Sequence, residues 1–156
     1  MPKIDVSHKD LCNLIGRKLS TEQLGDEVLF AKAELDEVNG DTLKIDVKDT
    51  NRPDLWSVEG VAREIRAKYK PGMPKYDVRK SSFVVNVEKS VETVRPYTAC
   101  AVVKGLKIND TTMSQLLQLQ EKVAGTFGRN RKEVAIGVYD LGRIKFPITY
   151  KAISPD

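Results

Sequence analysis

Cysteine and histidine are scarce here: Cys12, Cys100 and His8 are the only ones among 156 residues. Two thiols so far apart exclude a zinc knuckle or a disulfide framework, which need partners at short, repeated spacings. Cys12 falls in a helical pattern and Cys100 in a strand pattern, so both read as buried thiols. His8 reads as a surface residue of a first helical turn, because a catalytic histidine needs a nucleophile and an orienting acid beside it. No run approaches the ~20 apolar residues that cross a bilayer, and "MPKIDVSHKD" has no apolar signal core; the expectation is a cytoplasmic protein. Walker, GxGxxG, CxxC and HExxH patterns are missing, as are repeats and low-complexity tracts.

What is present is ordinary for a globular chain, 40% hydrophobic and 31% charged, with room for one domain or two small ones. The net charge of +4 hides an asymmetry. Residues 1–68 hold 11 Lys and Arg against 14 Asp and Glu, whereas residues 69–156 hold 15 against 8. A basic second half suits an anionic partner such as RNA.

Ser7 with Asp10, and Ser20 with Gln23, have the capping-box spacing of helix starts, and Gly16 is a natural stop. Leu11, Leu14 and Ile15 form the first apolar stripe; Leu24, Val28, Ala31 and Leu35 form the second. Asn39-Gly40-Asp41 is a turn, and Leu43, Ile45 and Val47 alternate as a strand. "DTNRPDLWSVEGVAREI" (49–65) then opens a helix whose inner face is Leu55, Val58, Ala62, Ile65 and Tyr69. Pro53 suits the first helical position, Asp54 the positive end of the helix dipole, and Asn51 a capping bond. Capping leaves Arg52 unexplained.

"YKPGMPKYDVRKSS" (69–82) reads as a boundary. Beyond it, Phe83–Val87, residues 97–108, Val134–Tyr139 and "PITYKAI" read as strands. Thr112 with Gln115 marks another helix start, and its stripe is Met113, Leu116, Leu117, Val123, Ala124 and Phe127. Gln120 is the one polar group on that face, either a core amide tied to backbone or part of a pocket lining. Arg129, Arg131 and Lys132 follow the helix and could bind phosphate or simply complement its negative end.

Taken in order, "MPKIDVSHKDLCNLIGR", "AKAELDEV", "DTNRPDLWSVEGVAREI", "RPYTACAVV", "LQLQEKV" and "RKEVAIGVYDL" resemble the N-terminus of the phenylalanyl-tRNA synthetase β subunit, archaeal/eukaryotic type. The resemblance covers essentially the whole chain. It implies an α+β fold: a small helical domain with a short sheet, loosely winged-helix-like, over residues 1–75, a linker at 76–82, and from 83 to 156 the truncated start of an α/β editing domain. It further implies a heterotetramer of two α and two β subunits that charges tRNA(Phe) using ATP and Mg²⁺. Aminoacylation would lie in the α subunit, so no catalytic residue, metal ligand or cofactor is expected in this chain.

Editing would hydrolyse tyrosine misattached to tRNA(Phe), a need set by physics, since an apolar pocket cannot strongly reject an isostere that only adds a hydroxyl. The resemblance places Gln120 and Arg131 in the editing region and Arg129, Arg131 and Lys132 against RNA. Asn130 departs from a basic residue common in the family. The competing readings are a non-catalytic module that docks RNA or protein, and a free-standing deacylase, for which about 75 residues are too few.

Overall fold

The computed structural model describes residues 2–72 and 75–155. They fall into two compact units, one built from residues 2–72 and 108–137, the other from 75–107 and 138–155. Residues 75–84 carry neither helix nor strand, in line with the composition of that stretch. Residues 108–137 pack with the first unit, a return that no local pattern announces.

In the first unit the order is β1 (Lys3–Ser7), α1 (His8–Ile15), α2 (Thr21–Phe30), β2 (Ala33–Asn39), β3 (Thr42–Val47), a 3₁₀ turn at Pro53–Leu55, α3 (Val58–Tyr69) and α4 (Asp110–Gly125). The three strands form an antiparallel sheet in the order β1-β3-β2. Its register sets Ile4 opposite Ile45 and Val6 opposite Leu43, so alternation along each strand puts these four side chains on one buried face.

Local chemistry explains the elements. Ser7 Oγ accepts from the Asp10 amide, and Gly16 ends α1 in the left-handed region at φ 84°. Ser20 and Gln23 form the full reciprocal capping box of α2. The second stripe ends earlier than expected. The helix stops at Phe30, Lys32 turns the chain at φ 52°, and Leu35 belongs to β2, where it still packs against the core.

Leu43, Ile45 and Val47 are fully buried, and so are Leu55, Val58, Val61 and Ile65 to within about a percent of exposure. Each such aliphatic side chain stabilises the fold by ~1.5–3 kcal/mol relative to leaving it in water. Trp56 is the largest buried side chain.

The second unit contains β4 (Val85–Val87) and β5 (Ile148–Tyr150), which pair in parallel. The Phe83 and Phe146 rings meet at 4.4 Å between centroids, and the Tyr150 hydroxyl donates to the Arg95 carbonyl at 3.1 Å. Three strand expectations are corrected here. Phe83–Val87 shortens to β4, and residues 97–108 and Val134–Tyr139 form no strand. A strand exists only with a ladder partner, and these apolar stretches find none among the described residues. Cys100 is correspondingly exposed rather than buried, whereas Cys12 is buried as expected.

Candidate functional site

The polar cluster before α3 forms a closed ion network. Arg52 holds Asp54 with two parallel bonds, Nε to Oδ1 and Nη2 to Oδ2, both 2.9 Å. The same guanidinium reaches Glu64 on α3 at 3.1 Å, and Arg63 approaches Asp54 at 3.4 Å. Two such parallel bonds are the strong geometry of a guanidinium–carboxylate pair. The Arg52 hydrogen bonds hold the Asp54 carboxyl below its usual range, and Asp54 and Glu64 in turn push the Arg52 guanidinium up.

Pro53 opens the 3₁₀ turn rather than the α-helix; Ser57 caps α3, its Oγ accepting from the Gly60 amide at 3.1 Å. Asn51 makes no capping bond to either element. Arg52 therefore ties the turn to the helix behind it. The cluster builds architecture.

The C-terminal half of the first unit carries the other candidates. Asn109, not Thr112, caps α4, its side chain accepting from the Thr112 amide at 2.9 Å. The helix faces the core through Leu119 and Val123, while Met113, Leu117 and Phe127 are exposed, which corrects the expected stripe. Two glutamines fix this rotation. Gln118 Oε1 accepts from the Asp5 amide at 2.8 Å and its Nε2 donates to the Asp5 carbonyl at 3.0 Å. Gln115 donates to Asp10 at 3.3 Å.

Gln120, two positions from Gln118, is turned about 200° around the helix and is half-buried without a hydrogen bond to a described residue. Nothing in the spacing distinguished Gln118 from Gln120. Each follows an apolar neighbour, and the choice is made by the edge of β1, over a hundred residues away in sequence.

After α4 the chain makes a left-handed turn through three successive non-glycine residues, Arg129, Asn130 and Arg131, at φ 48°, 55° and 67°. The conformation costs ~1–2 kcal/mol per residue without compensation. Backbone bonds supply it: the Asn130 amide donates to the Gly125 carbonyl at 3.2 Å and the Arg131 amide to the Ala124 carbonyl at 2.8 Å. Gly128 permits this return, since a Cβ there would sit 2.3 Å from the Val134 carbonyl oxygen. Arg129, Arg131 and Lys132 are exposed on the turn, and Arg129 lies 3.7 Å from Glu133.

Two open grooves of about 430 Å³ each mark the first unit. One runs between the C-terminal ends of α1 and α3, and the other lies beside Trp56, Lys122 and Phe127. Neither is lined by Arg52, Asp54 or Gln120. Among the described residues no group of three or more His, Cys, Asp and Glu could hold a metal ion, and no helix is long and apolar enough to cross a membrane.

No family model matches the chain. It is 54% identical over 158 aligned residues to the phenylalanine–tRNA ligase β subunit of Pyrococcus horikoshii, covering 97% of this chain and 28% of the relative. The Thermococcus kodakarensis β subunit is 51% identical with the same coverage, and that of Methanosphaera stadtmanae 32% over 100% of this chain and 28% of the relative. A crystal structure of an N-terminal fragment of the Pyrococcus horikoshii β subunit superposes with a TM-score of 0.89 at 53% identity, covering 97% of this chain and 45% of that one.

Helices joined to small sheets, aligned over nearly the whole chain, thus place it among aminoacyl-tRNA synthetase components. Within that class it belongs with the phenylalanine–tRNA ligase β subunits, and it matches their N-terminal part. The chain spans 28% of the length of these curated relatives.

Proposed function

We propose that the chain is the leading segment of a phenylalanine–tRNA ligase β subunit, serving subunit assembly and the hydrolysis of tyrosine misattached to tRNA(Phe). The observation that carries this reading is identity above 50% across 97% of the chain to archaeal β subunits, together with a shared fold. Residues 1–75 are then the small β-subunit domain, loosely winged-helix-like, 76–82 the linker, and 83–156 the opening of the editing domain. Aminoacylation, with its ATP and Mg²⁺, belongs to the parent enzyme and its α subunit. Asp54, Asp46 and Glu27 here are already committed to cations within the fold.

In this reading Gln120 contributes to the editing pocket and Arg131 to the pocket wall, while Arg129, Arg131 and Lys132 meet the tRNA. The left-handed turn supports the assignment, because it presents Arg129 and Arg131, with Lys132 next to them, on one exposed loop. A second site is physically required, since one added hydroxyl gives an apolar pocket little to reject.

Deacylation of Tyr-tRNA(Phe) tests the proposal in a β subunit of the relatives' full length. Gln120→Ala is expected to slow hydrolysis at unchanged stability, and Arg129→Gln with Lys132→Gln to raise the tRNA concentration needed. Editing untouched by all three substitutions overturns the assignment of these residues. Hydrolysis at full rate by the 156-residue chain alone overturns the view that other parts of the subunit complete the pocket.

A further inference from the structure

We propose that the groove between the C-terminal ends of α1 and α3 is a second RNA-binding site, which takes backbone phosphates on Arg17, Arg66 and Lys70. The choice of RNA rests on the preceding functional reading; the anion site rests on the groove itself.

Residues 2–72 form an acid-rich segment in which most cations have a carboxylate partner. Lys3, Lys32, Lys44, Lys48, Arg52, Arg63 and Lys68 are all ion-paired. Of the cations there that form no ion pair with a described residue, Lys9 stands apart in α1. The others are Arg17, Lys18, Arg66 and Lys70. Three of these line one open groove of about 430 Å³, and Lys18 follows Arg17 in the chain. All four are exposed.

Glu27 also attracts Arg17, but it is already bonded to Lys68 and Tyr69, so positive charge still outnumbers negative at this concavity, unlike the paired cations elsewhere in the segment. Attraction to the negative ends of α1 and α3 is worth only ~0.3–1 kcal/mol per cation and is screened by salt. It leaves the cations' mutual repulsion in place, and a bound anion removes that repulsion.

The groove also has a fixed element. Arg17 lies over the Tyr69 ring, its guanidinium carbon 4.2 Å from the centroid. Tyr69 is in turn anchored, its hydroxyl donating to Glu27, which Lys68 holds at 3.0 Å. This cation–π contact engages the ring face, and no described acceptor takes the Arg17 N–H donors. A guanidinium held over Tyr69 beside the exposed charges of Arg66 and Lys70 suits the phosphodiester oxygens of an RNA strand, with Arg17 setting position.

The test uses the 156-residue chain and a tRNA(Phe) transcript, with affinity measured by fluorescence anisotropy from 50 to 300 mM KCl. Each lost phosphate contact lowers the slope of log affinity against log salt by about 0.7–0.9. Arg66→Gln with Lys70→Gln is expected to reduce the slope by roughly 1.5 and weaken binding at low salt about tenfold or more. Lys9→Gln with Arg143→Gln removes the same charge from other exposed positions and is expected to leave the slope nearly unchanged. Equal effects of the two pairs, or no binding by the unsubstituted chain at 50 mM KCl, overturn the proposal.

Arg129→Gln with Lys132→Gln separates this inference from the functional reading. Loss of slope in the groove pair alone retains the groove and removes the turn as an RNA contact. Loss in the turn pair alone removes the groove. Circular dichroism checks that each variant keeps its melting temperature, as exposed substitutions should.

Discussion

Gly60 lies so close beneath Asp54 that a Cβ on it would stand 1.6 Å from the Asp54 carbonyl oxygen. The obstacle is backbone, so no side chain can rotate away to make room. The 3₁₀ turn and α3 meet through this one missing methyl group. Gly60→Ala should destabilise the protein by on the order of 1–3 kcal/mol or more, with the turn forced off the helix. Gly25, inside α2, is the internal contrast, since a Cβ there would meet only Leu35 Cδ2 at an ordinary 3.9 Å. Gly25→Ala should stabilise by about 0.5–1 kcal/mol through helix propensity. Urea midpoints of the two variants should move in opposite directions; shifts of the same sign would refute the packing argument.

The α4 glutamines give a second contrast. Gln118→Ala removes both bonds to Asp5 and should cost roughly 1–2 kcal/mol, the worth of two ordinary hydrogen bonds. It should also speed hydrogen exchange at the Asp5 amide. Gln120→Ala should leave that amide as protected as before. Equal exchange in the two variants would show that Gln118 does not hold the strand edge.

Acid should loosen the first unit in a predictable window. The Arg52 hydrogen bonds depress Asp54 from its ordinary 3.8, and the Tyr69 hydrogen bond, with Lys68, depresses Glu27 from its ordinary 4.5. A carboxyl depressed on folding contributes stability that is whole above its unfolded value and is lost as pH falls through the folded one. Stability should therefore hold from pH 7 to about 5 and decline below about 4.5. Both carboxylates face partly solvated partners, so each effect is modest. Asp54→Asn should flatten the decline measured by urea melts between pH 5 and 2.5, and an unchanged decline would count against the network.

The left-handed turn offers a stabilising change. Asn130 sits at φ 55°, a region glycine enters without steric cost. Asn130→Gly should raise stability by about 0.5 kcal/mol, since asparagine already tolerates the region better than most residues. A fall in melting temperature would mean that the Asn130 side chain supports the turn.

The sequence made the first 70 residues legible because their signals are local. Ser20 and Gln23 lie three apart and cap the same turn, and Leu43, Ile45 and Val47 alternate on one strand. Gly16 stops its helix by its own conformation. Leu35 was misplaced because a stripe at spacings of three and four runs on in register past Lys32, whose positive φ breaks the helix without a sequence mark. Arg52 gained a purpose only from Glu64, one helix later. The face of α4 was not recoverable from spacing, since Met113, Leu117 and Gln120 repeat as regularly as Leu116, Leu119 and Val123. The rotation is chosen by Asp5. Apolar alternation in residues 97–108 likewise proposes a strand but names no partner, and without one it forms no strand.

The clasp of Gln118 on Asp5 also sets an order of events during synthesis. The sheet and its first three helices are complete once residue 72 has been made, but the glutamine that clasps the edge of β1 arrives 113 positions after Asp5. From residue 72 to residue 118, at ~5–20 residues per second, the interval lasts about 2–9 seconds. A nascent subunit thus travels for a time with an open flank, which makes the interval before α4 the moment when a mispairing neighbour could most easily attach.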